Sequence, residues 1–147
     1  MIDLAHLTKY HENNRLEAKK ATGGLPESLW ETYSAFANTE GGVILLGVEE
    51  LKDRSLRPVD LPDPYALLED FWIIINDSQQ ISENILTEKD VRIATVDGKH
   101  IIVIEVPRAD YRPIFLGKDP FQGSYRRSGD GDIKCTHDEV QSMLDGK

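Results

Sequence analysis

The stretch SAFANTEGGVILLGV, residues 34–48, decides the fold of this chain. Its first part completes a series of apolar side chains at helical spacing, which begins after Leu25-Pro26-Glu27, where proline and glutamate favour a helix start. Gly41-Gly42 ends that helix, and residues 43–48 are a continuous apolar run, typical of a strand buried on both faces. The stretch therefore predicts a helix, a glycine turn and a central strand in direct succession.

The chain after this strand predicts a second helix and a β-hairpin. Asp63-Pro64 is typical of a helix start. We expect the inward side of that helix to carry Tyr65, Leu67, Leu68, Phe71, Trp72 and Ile75. Residues 91–96 and 99–106 are rich in β-branched side chains and flank Asp97-Gly98, which suits the positive φ angles of a tight type I′ turn.

The last third of the chain predicts shorter elements. Residues 113–116 and 124–127 fit short strands, and residues 136–139 form a capping box that opens a final helix. Helices and strands do not alternate strictly, so the predicted fold class is α+β. We expect a single compact domain over residues 1–147, with a mixed β-sheet that includes a β-hairpin, packed by about three to four helices.

Composition excludes several classes of protein. The longest apolar run, residues 71–75, is far too short to span a bilayer, and the first residues lack the pattern of a secretory signal. Cys135 is the sole cysteine, so no intrachain disulfide is expected and a cytoplasmic location is favoured. The chain carries 17 Lys and Arg against 26 Asp and Glu, a net charge of −9, which does not by itself favour a nucleic-acid partner.

The sequence lacks the common catalytic motifs. No phosphate-binding P-loop pattern is present, the four histidines have no ligand spacing with Cys135, and no G-x-S-x-G element occurs. Carboxylates and arginines remain as the candidate functional groups.

The carboxylates occur in two places that the fold could bring together. Glu12 and Glu17 lie five residues apart, and Glu49 and Glu50 follow the buried strand. If three or four of them converge, their oxygens suit a divalent cation that activates water for phosphodiester cleavage. The alternative is a solvated acidic rim in which Glu17 pairs with a lysine.

The arginines of interest belong to the segment Tyr125-Arg126-Arg127. On a strand, Arg126 and Arg127 point to opposite faces, so only one of them can line a groove while the other pairs with a carboxylate. A guanidinium binds phosphate oxygens in a bidentate manner, and an aromatic ring stacks on bases. A salt-bridged edge strand is the alternative interpretation.

Three parts of the sequence together resemble the Schlafen AlbA-type domain. They are NRLEAK at residues 14–19, the stretch 34–48 with its A-F-A-N-T-x-G-G pattern, and Arg112-Pro113 followed by Tyr125-Arg126-Arg127-Ser128-Gly129. The similarity runs from about residue 12 to residue 144. It implies a DNA-binding domain of the kind found at the N-terminus of larger bacterial transcriptional regulators, so this chain is expected to be the N-terminal fragment of a longer protein.

The resemblance leads first to a non-catalytic nucleic-acid-binding module that needs no cofactor. The residues expected to contact nucleic acid, DNA first and RNA second, are Lys19, Lys20, Arg112, Tyr125, Arg126 and Arg127.

Two alternatives follow from the same resemblance and from the charge. Vertebrate relatives include endoribonucleases with three acidic residues, which correspond here to Glu12, Glu17 and Glu49, or Glu50 in place of Glu49, where the family pattern favours Asp. Under this hypothesis they are the catalytic ligands of Mg²⁺ or Mn²⁺. The other alternative is a protein-interaction or oligomerisation domain, which the net acidity allows, and a homodimer would pool basic faces from two chains.

Overall fold

A mixed four-stranded sheet forms the centre of the computed structural model, which describes residues 2–146. Its strands, in spatial order, are β1 (Leu16–Lys19), β2 (Gly42–Leu46), β6 (Lys99–Val106) and β5 (Val91–Val96). β1 runs parallel to β2, and the other two pairings are antiparallel. Two-stranded sheets of β3 (Val48–Glu50) with β4 (Leu56–Pro58), and of β7 (Tyr125–Ser128) with β8 (Gly131–Lys134), flank it.

The helices divide the molecule into layers. They are α1 (Ser28–Asn38), α2 (Pro64–Ile75), α3 (Pro120–Gly123) and α4 (His137–Leu144), with 3₁₀ segments at Leu4–Lys9 and Glu88–Asp90. α1 and α2 bury one sheet face, where Phe36 and Phe71 pack with Ile44 and Ile104. On the other face, the N-terminal 3₁₀ segment and β4 contribute Leu7 and Leu56 to a second core. The α+β prediction is confirmed.

The predicted continuous strand over residues 43–48 is wrong at its end. Gly47 has a φ of +86°, so β2 ends at Leu46 and Val48 begins a strand of a different sheet. A Cβ at Gly47 would lie 2.8 Å from Leu61 Cγ, which reserves this bend for glycine. Glu49 therefore lies on β3 and not at the end of the central strand.

Local signals gave several elements correctly. Asp97 and Gly98 have φ angles of +51° and +76°, as the type I′ turn between β5 and β6 requires. The Asp63 side chain accepts a hydrogen bond from the N–H of Ala66 at the start of α2. Tyr65, however, is 74% exposed, so its predicted inward position on α2 is wrong. Within residues 2–146, no helix combines the length and the apolar character needed to cross a membrane.

Candidate functional site

The β7–β8 hairpin packs against α1 and directs one of its two arginines inwards. Arg127 lies opposite Asp132 in the hairpin register, and Arg126 lies opposite Ile133. Because side chains alternate along a strand, Arg127 faces α1 while Arg126 faces away. Ile133 is 41% exposed, in keeping with this outward face.

The Arg127 guanidinium is fully buried and is held on every side. Its Nη1 donates to Asp132 Oδ1 at 2.7 Å and its Nη2 donates to Glu17 Oε1 at 2.8 Å. Further bonds from the same group reach the carbonyl oxygens of Asn13 and Leu16. Its carbon Cζ lies 4.9 Å from the centre of the Phe36 ring. One side chain thus joins the hairpin, β1 and α1.

The carboxylates around Arg127 extend this network to the first turn of α1. Asp132 Oδ2 accepts a hydrogen bond of 2.6 Å from the Thr32 hydroxyl. Glu17 Oε2 lies 3.6 Å from Lys19 Nζ, which also donates to the Ser28 hydroxyl. The Lys19 side chain is only 9% exposed. Its positive charge, together with that of Arg127, balances the negative charges of Glu17 and Asp132. The prediction that a hairpin arginine pairs with a carboxylate is confirmed for Arg127, and its contact with nucleic acid stays a prediction for a side chain that is buried here.

Glu12 lies beside this network, and the pKa of its carboxyl group is higher than usual. Its Oε2 accepts a hydrogen bond of 2.9 Å from the N–H of Ala18. The pKa of Glu12 is raised from 4.5 to about 7, mainly by burial. A side-chain hydrogen bond with Glu17 and the charges of Glu17 and Glu50 contribute to this increase, and the Ala18 bond opposes it. Glu12 is therefore about half protonated near neutral pH.

This pKa predicts a pH-dependent effect of Glu12→Gln on stability. The folded state binds a proton that the unfolded state releases between about pH 4.5 and pH 7, so Glu12 lowers the free energy of unfolding as the pH rises. We expect Glu12→Gln to raise that free energy by on the order of 1 kcal/mol at pH 8, since Glu12 is partly solvated, and to change it little at pH 4. Urea unfolding of both proteins at pH 4, 6 and 8 measures this, and a difference independent of pH would contradict it.

Of the residues predicted as metal ligands, Glu12 and Glu17 lie next to each other, and the third carboxylate near them is Glu50, the predicted alternative to Glu49. Glu49 pairs with Arg57 and lies 3.9 Å from Lys20 Nζ, whereas the charge acting on Glu12 from β3 is that of Glu50. The Oε1 of Glu17 is occupied by Arg127. No group of three or more His, Cys, Asp or Glu side chains within residues 2–146 is placed to hold a metal ion. The Mg²⁺ or Mn²⁺ site therefore stays a prediction.

Two sets of the predicted nucleic-acid contacts, Lys19 with Lys20 and Arg112 alone, lie at opposite ends of α1. Lys19 reaches Ser28 at the first turn, and Lys20 is the next residue along the chain. Arg112 belongs to the loop that reaches the last turn, where the N–H of Ile114 donates to Asn38 Oδ1. An 11-residue helix is ~16 Å long, so one phosphate group cannot contact both sets.

The hairpin residues among these predictions differ in exposure. The Arg126 side chain is 41% exposed and its Nε lies 2.7 Å from Glu139 Oε2. Tyr125 is partly buried near Glu31 and Asp132, and burial raises the pKa of its hydroxyl. Arg112 is also partly buried, and its Nε has no hydrogen-bond partner among the described residues. Lys20 and Arg126 are thus the predicted cations that solvent reaches most easily.

The structure reveals two cations that sequence reasoning missed. Arg54 and Arg57 lie on the β3–β4 hairpin with 59% of each side chain exposed, and Lys20 is 62% exposed. Glu49 contacts both Lys20 and Arg57, so their charged ends lie close together. We call Lys20, Arg54 and Arg57 the basic strip. In the sequence, Arg54 and Arg57 belong to the loop before residue 61, and this loop matches no known motif.

A cleft lies between Arg54 and the tip of the β7–β8 hairpin. It has a volume of about 600 Å³ and is lined by Glu12, Asn13, Asn14, Arg54, Gly129 and Asp130. Arg54 spans it through an ion pair of 3.1 Å with Asp130. Arg54 is therefore the member of the basic strip that lines this concave surface.

The mixed sheet, the α1–glycine–β2 unit and the buried arginine define an α+β domain of the Schlafen type. The chain belongs to the Schlafen, AlbA_2 family, whose sequence profile matches residues 12–136. The resemblance seen in the sequence is confirmed. A search of curated proteins found no match.

Two solved structures are similar to the chain. One is the solution structure of the N-terminal domain of a protein from Nitrosomonas europaea described as related to the ATP-dependent DNA helicase RecG. It is 31% identical, has a TM-score of 0.66, and the match covers 92% of this chain and 95% of that domain. The other is the DIP2311 protein from Corynebacterium diphtheriae, at 22% identity and a TM-score of 0.53, covering 83% of this chain and 25% of that one. The second similarity concerns the fold alone.

Proposed function

We propose that this domain binds nucleic acid through the basic strip. The observation that carries the proposal is that three cations on and next to the β3–β4 hairpin are each about 60% exposed, in a chain with a net charge of −9. Lys20 and Arg57 share the partner Glu49, and Arg54 lines the cleft. Local positive charge, and not the total, attracts a phosphate backbone at short range. Lys20, Arg54 and Arg57 would bind neighbouring phosphates of one strand.

The ion pairs of the strip are compatible with this role. In the free protein, Glu49 pairs with Lys20 and Arg57, and Asp130 pairs with Arg54, which leaves one positive charge in excess. The Arg54–Asp130 pair is more than half exposed on both sides, so it contributes only ~0–1 kcal/mol, whereas Glu49 is 20% exposed and its pairs are less solvated. A phosphate therefore competes for the Arg54 guanidinium at little cost, and arginine offers it two parallel hydrogen bonds.

The similar domain from Nitrosomonas europaea supports the same function. It belongs to a protein described as related to a DNA helicase, and the two chains match over nearly their whole lengths. We therefore propose DNA as the first ligand to test. A place in a transcriptional regulator and a cytoplasmic location are predictions from the sequence that this proposal retains but does not need.

Binding should depend on salt and on the basic strip. We expect the affinity for a labelled DNA duplex to fall as salt rises, with a log–log slope of about −3 for three phosphate contacts. Lys20→Ala/Arg57→Ala should weaken binding roughly tenfold at low salt and reduce the slope by about 2. Fluorescence anisotropy over a salt series measures both quantities.

The matched control removes the same charge elsewhere. Lys89 and Lys118 are exposed and lie outside the strip, so Lys89→Ala/Lys118→Ala should retain most of the affinity. Equal losses in both double variants would mean non-specific attraction, and a flat salt response would exclude the proposal. A structured RNA with and without Mn²⁺ serves as a second ligand, and metal-dependent cleavage would restore the nuclease alternative.

A further inference from the structure

A second cleft lies at the opposite end of β1 from Lys20. It has a volume of about 300 Å³ and is lined by Ile2, Tyr10, Asn13, Arg15, Leu16, Gly42 and Val43. Aliphatic and aromatic walls thus face a guanidinium and an amide. This combination suits a ligand that has a flat ring and an anionic group, because the ring packs on the apolar wall while arginine binds the anion.

Tyr10 is held in place from two sides. Its hydroxyl accepts a hydrogen bond of 2.9 Å from the N–H of Asp3, and its own N–H donates to the carbonyl of Leu7 at 3.1 Å. The ring packs with the second core and is partly exposed. A stacking surface fixed before binding loses little side-chain entropy when a ligand arrives.

Arg15 lies in the turn between Asn13 and Leu16, which hydrogen bonds from the buried Arg127 stabilise. The backbones of Asn13 and Leu16 bond to each other, and the Arg127 guanidinium donates to both of their carbonyls from inside. The Asn13 side chain accepts from the N–H of Arg15 at 2.7 Å. The Arg15 side chain is exposed, and it takes part in none of the ion pairs formed within residues 2–146.

We propose that this cleft binds one nucleotide of a single strand, with the base against Tyr10 and the adjacent phosphate on Arg15. The inference rests on the proposed nucleic-acid binding and adds to it a preference for unpaired bases. Base–aromatic stacking tolerates any sequence, because every base has a flat face. A duplex buries these faces, so the cleft should not contribute to duplex binding.

A single strand and a free nucleotide both offer a base and a phosphate to this cleft. The following probes distinguish these two ligands. We would measure binding of labelled twelve-residue oligothymidine, an abasic strand of equal length and charge, a duplex, and thymidine monophosphate. Tyr10→Leu retains apolar volume without the aromatic face. We expect it to weaken oligothymidine binding about tenfold and to leave the abasic strand and the duplex unchanged. Arg15→Ala should weaken both single strands, and the matched control Lys118→Ala should weaken neither.

The possible results separate this inference from the proposed function. If Tyr10→Leu and Arg15→Ala bind oligothymidine like the unaltered protein while the basic-strip variant loses affinity, the cleft is excluded and the proposed function stands. If no strand binds but thymidine monophosphate does, and Tyr10→Leu abolishes this, the cleft is a free-nucleotide site and the proposed function fails. Absence of binding by every probe overturns both. Circular dichroism of each variant verifies that the loss does not come from unfolding, and Tyr10→Phe, which keeps the ring, should restore oligothymidine binding if Tyr10→Leu misfolds.

Discussion

Arg127→Met is expected to lower the free energy of unfolding by about 3–5 kcal/mol, because it leaves buried charge uncompensated. The change deprives Glu17 and Asp132, each less than 15% exposed, of their buried counter-charge. It also leaves the carbonyls of Asn13 and Leu16 without a donor from the hairpin side. Urea denaturation followed by circular dichroism measures the loss.

A second variant tests whether the loss of stability in Arg127→Met comes from uncompensated charge. Adding Glu17→Gln and Asp132→Asn to Arg127→Met removes both carboxylates that Arg127 contacts, of which Lys19 can balance only one, and part of the lost stability should return. Arg127→Lys keeps the charge but cannot serve both carboxylates and both carbonyls, so we expect an intermediate stability and a folded protein. A loss below about 0.5 kcal/mol for Arg127→Met would show that the network does not stabilise the fold.

Gly41→Ala should also be strongly destabilising, with a loss of about 2–4 kcal/mol. Gly41 has a φ of +74°, which disfavours any residue with a Cβ. Its Cβ would also lie 2.7 Å from the carbonyl oxygen of Val106 and 3.1 Å from the nitrogen of Arg108. The backbone between α1 and β2 would have to move away from β6.

Gly98→Ala separates the two causes. Gly98 has nearly the same φ, +76°, but a Cβ there would meet no heavy atom within 4 Å. This variant should lose only the backbone term, about 1–2 kcal/mol. The difference between the two variants measures the close approach of backbone at Gly41, and equal losses would contradict that explanation.

Much of the fold follows from local sequence. Three local features were predicted correctly: the glycine turn between α1 and β2, the Asp97-Gly98 turn and the Asp63 cap. The conformation of each depends on neighbours within a few positions. The end of β2 was not, because a single glycine in an apolar run does not reveal a positive φ. The packing of Leu61 against Gly47, which fixes that bend, is a tertiary contact.

The candidate site was less predictable for the same reason. Alternation along β7 indicated that Arg126 and Arg127 would differ, but not which one would be buried. Burial was decided by Asp132 and Thr32, which lie 100 residues apart and had no motif to identify them. Lys19 and Lys20 are adjacent in sequence, yet one is buried against Glu17 and the other is exposed. A sequence shows which residues are charged, but it does not show which of their side chains are exposed to solvent.

The outer side of β1 has a consequence for self-association. An edge strand with free backbone groups is a template on which another chain can add a strand, the first step of many aggregation pathways. On β1, the N–H of Ala18 is taken by Glu12, and the N–H and carbonyl of Leu16 are taken by Asn13 and Arg127. An incoming strand would have to displace these bonds before forming its own. The side chains that build the charged centre thus also protect this margin of the sheet from fibril growth.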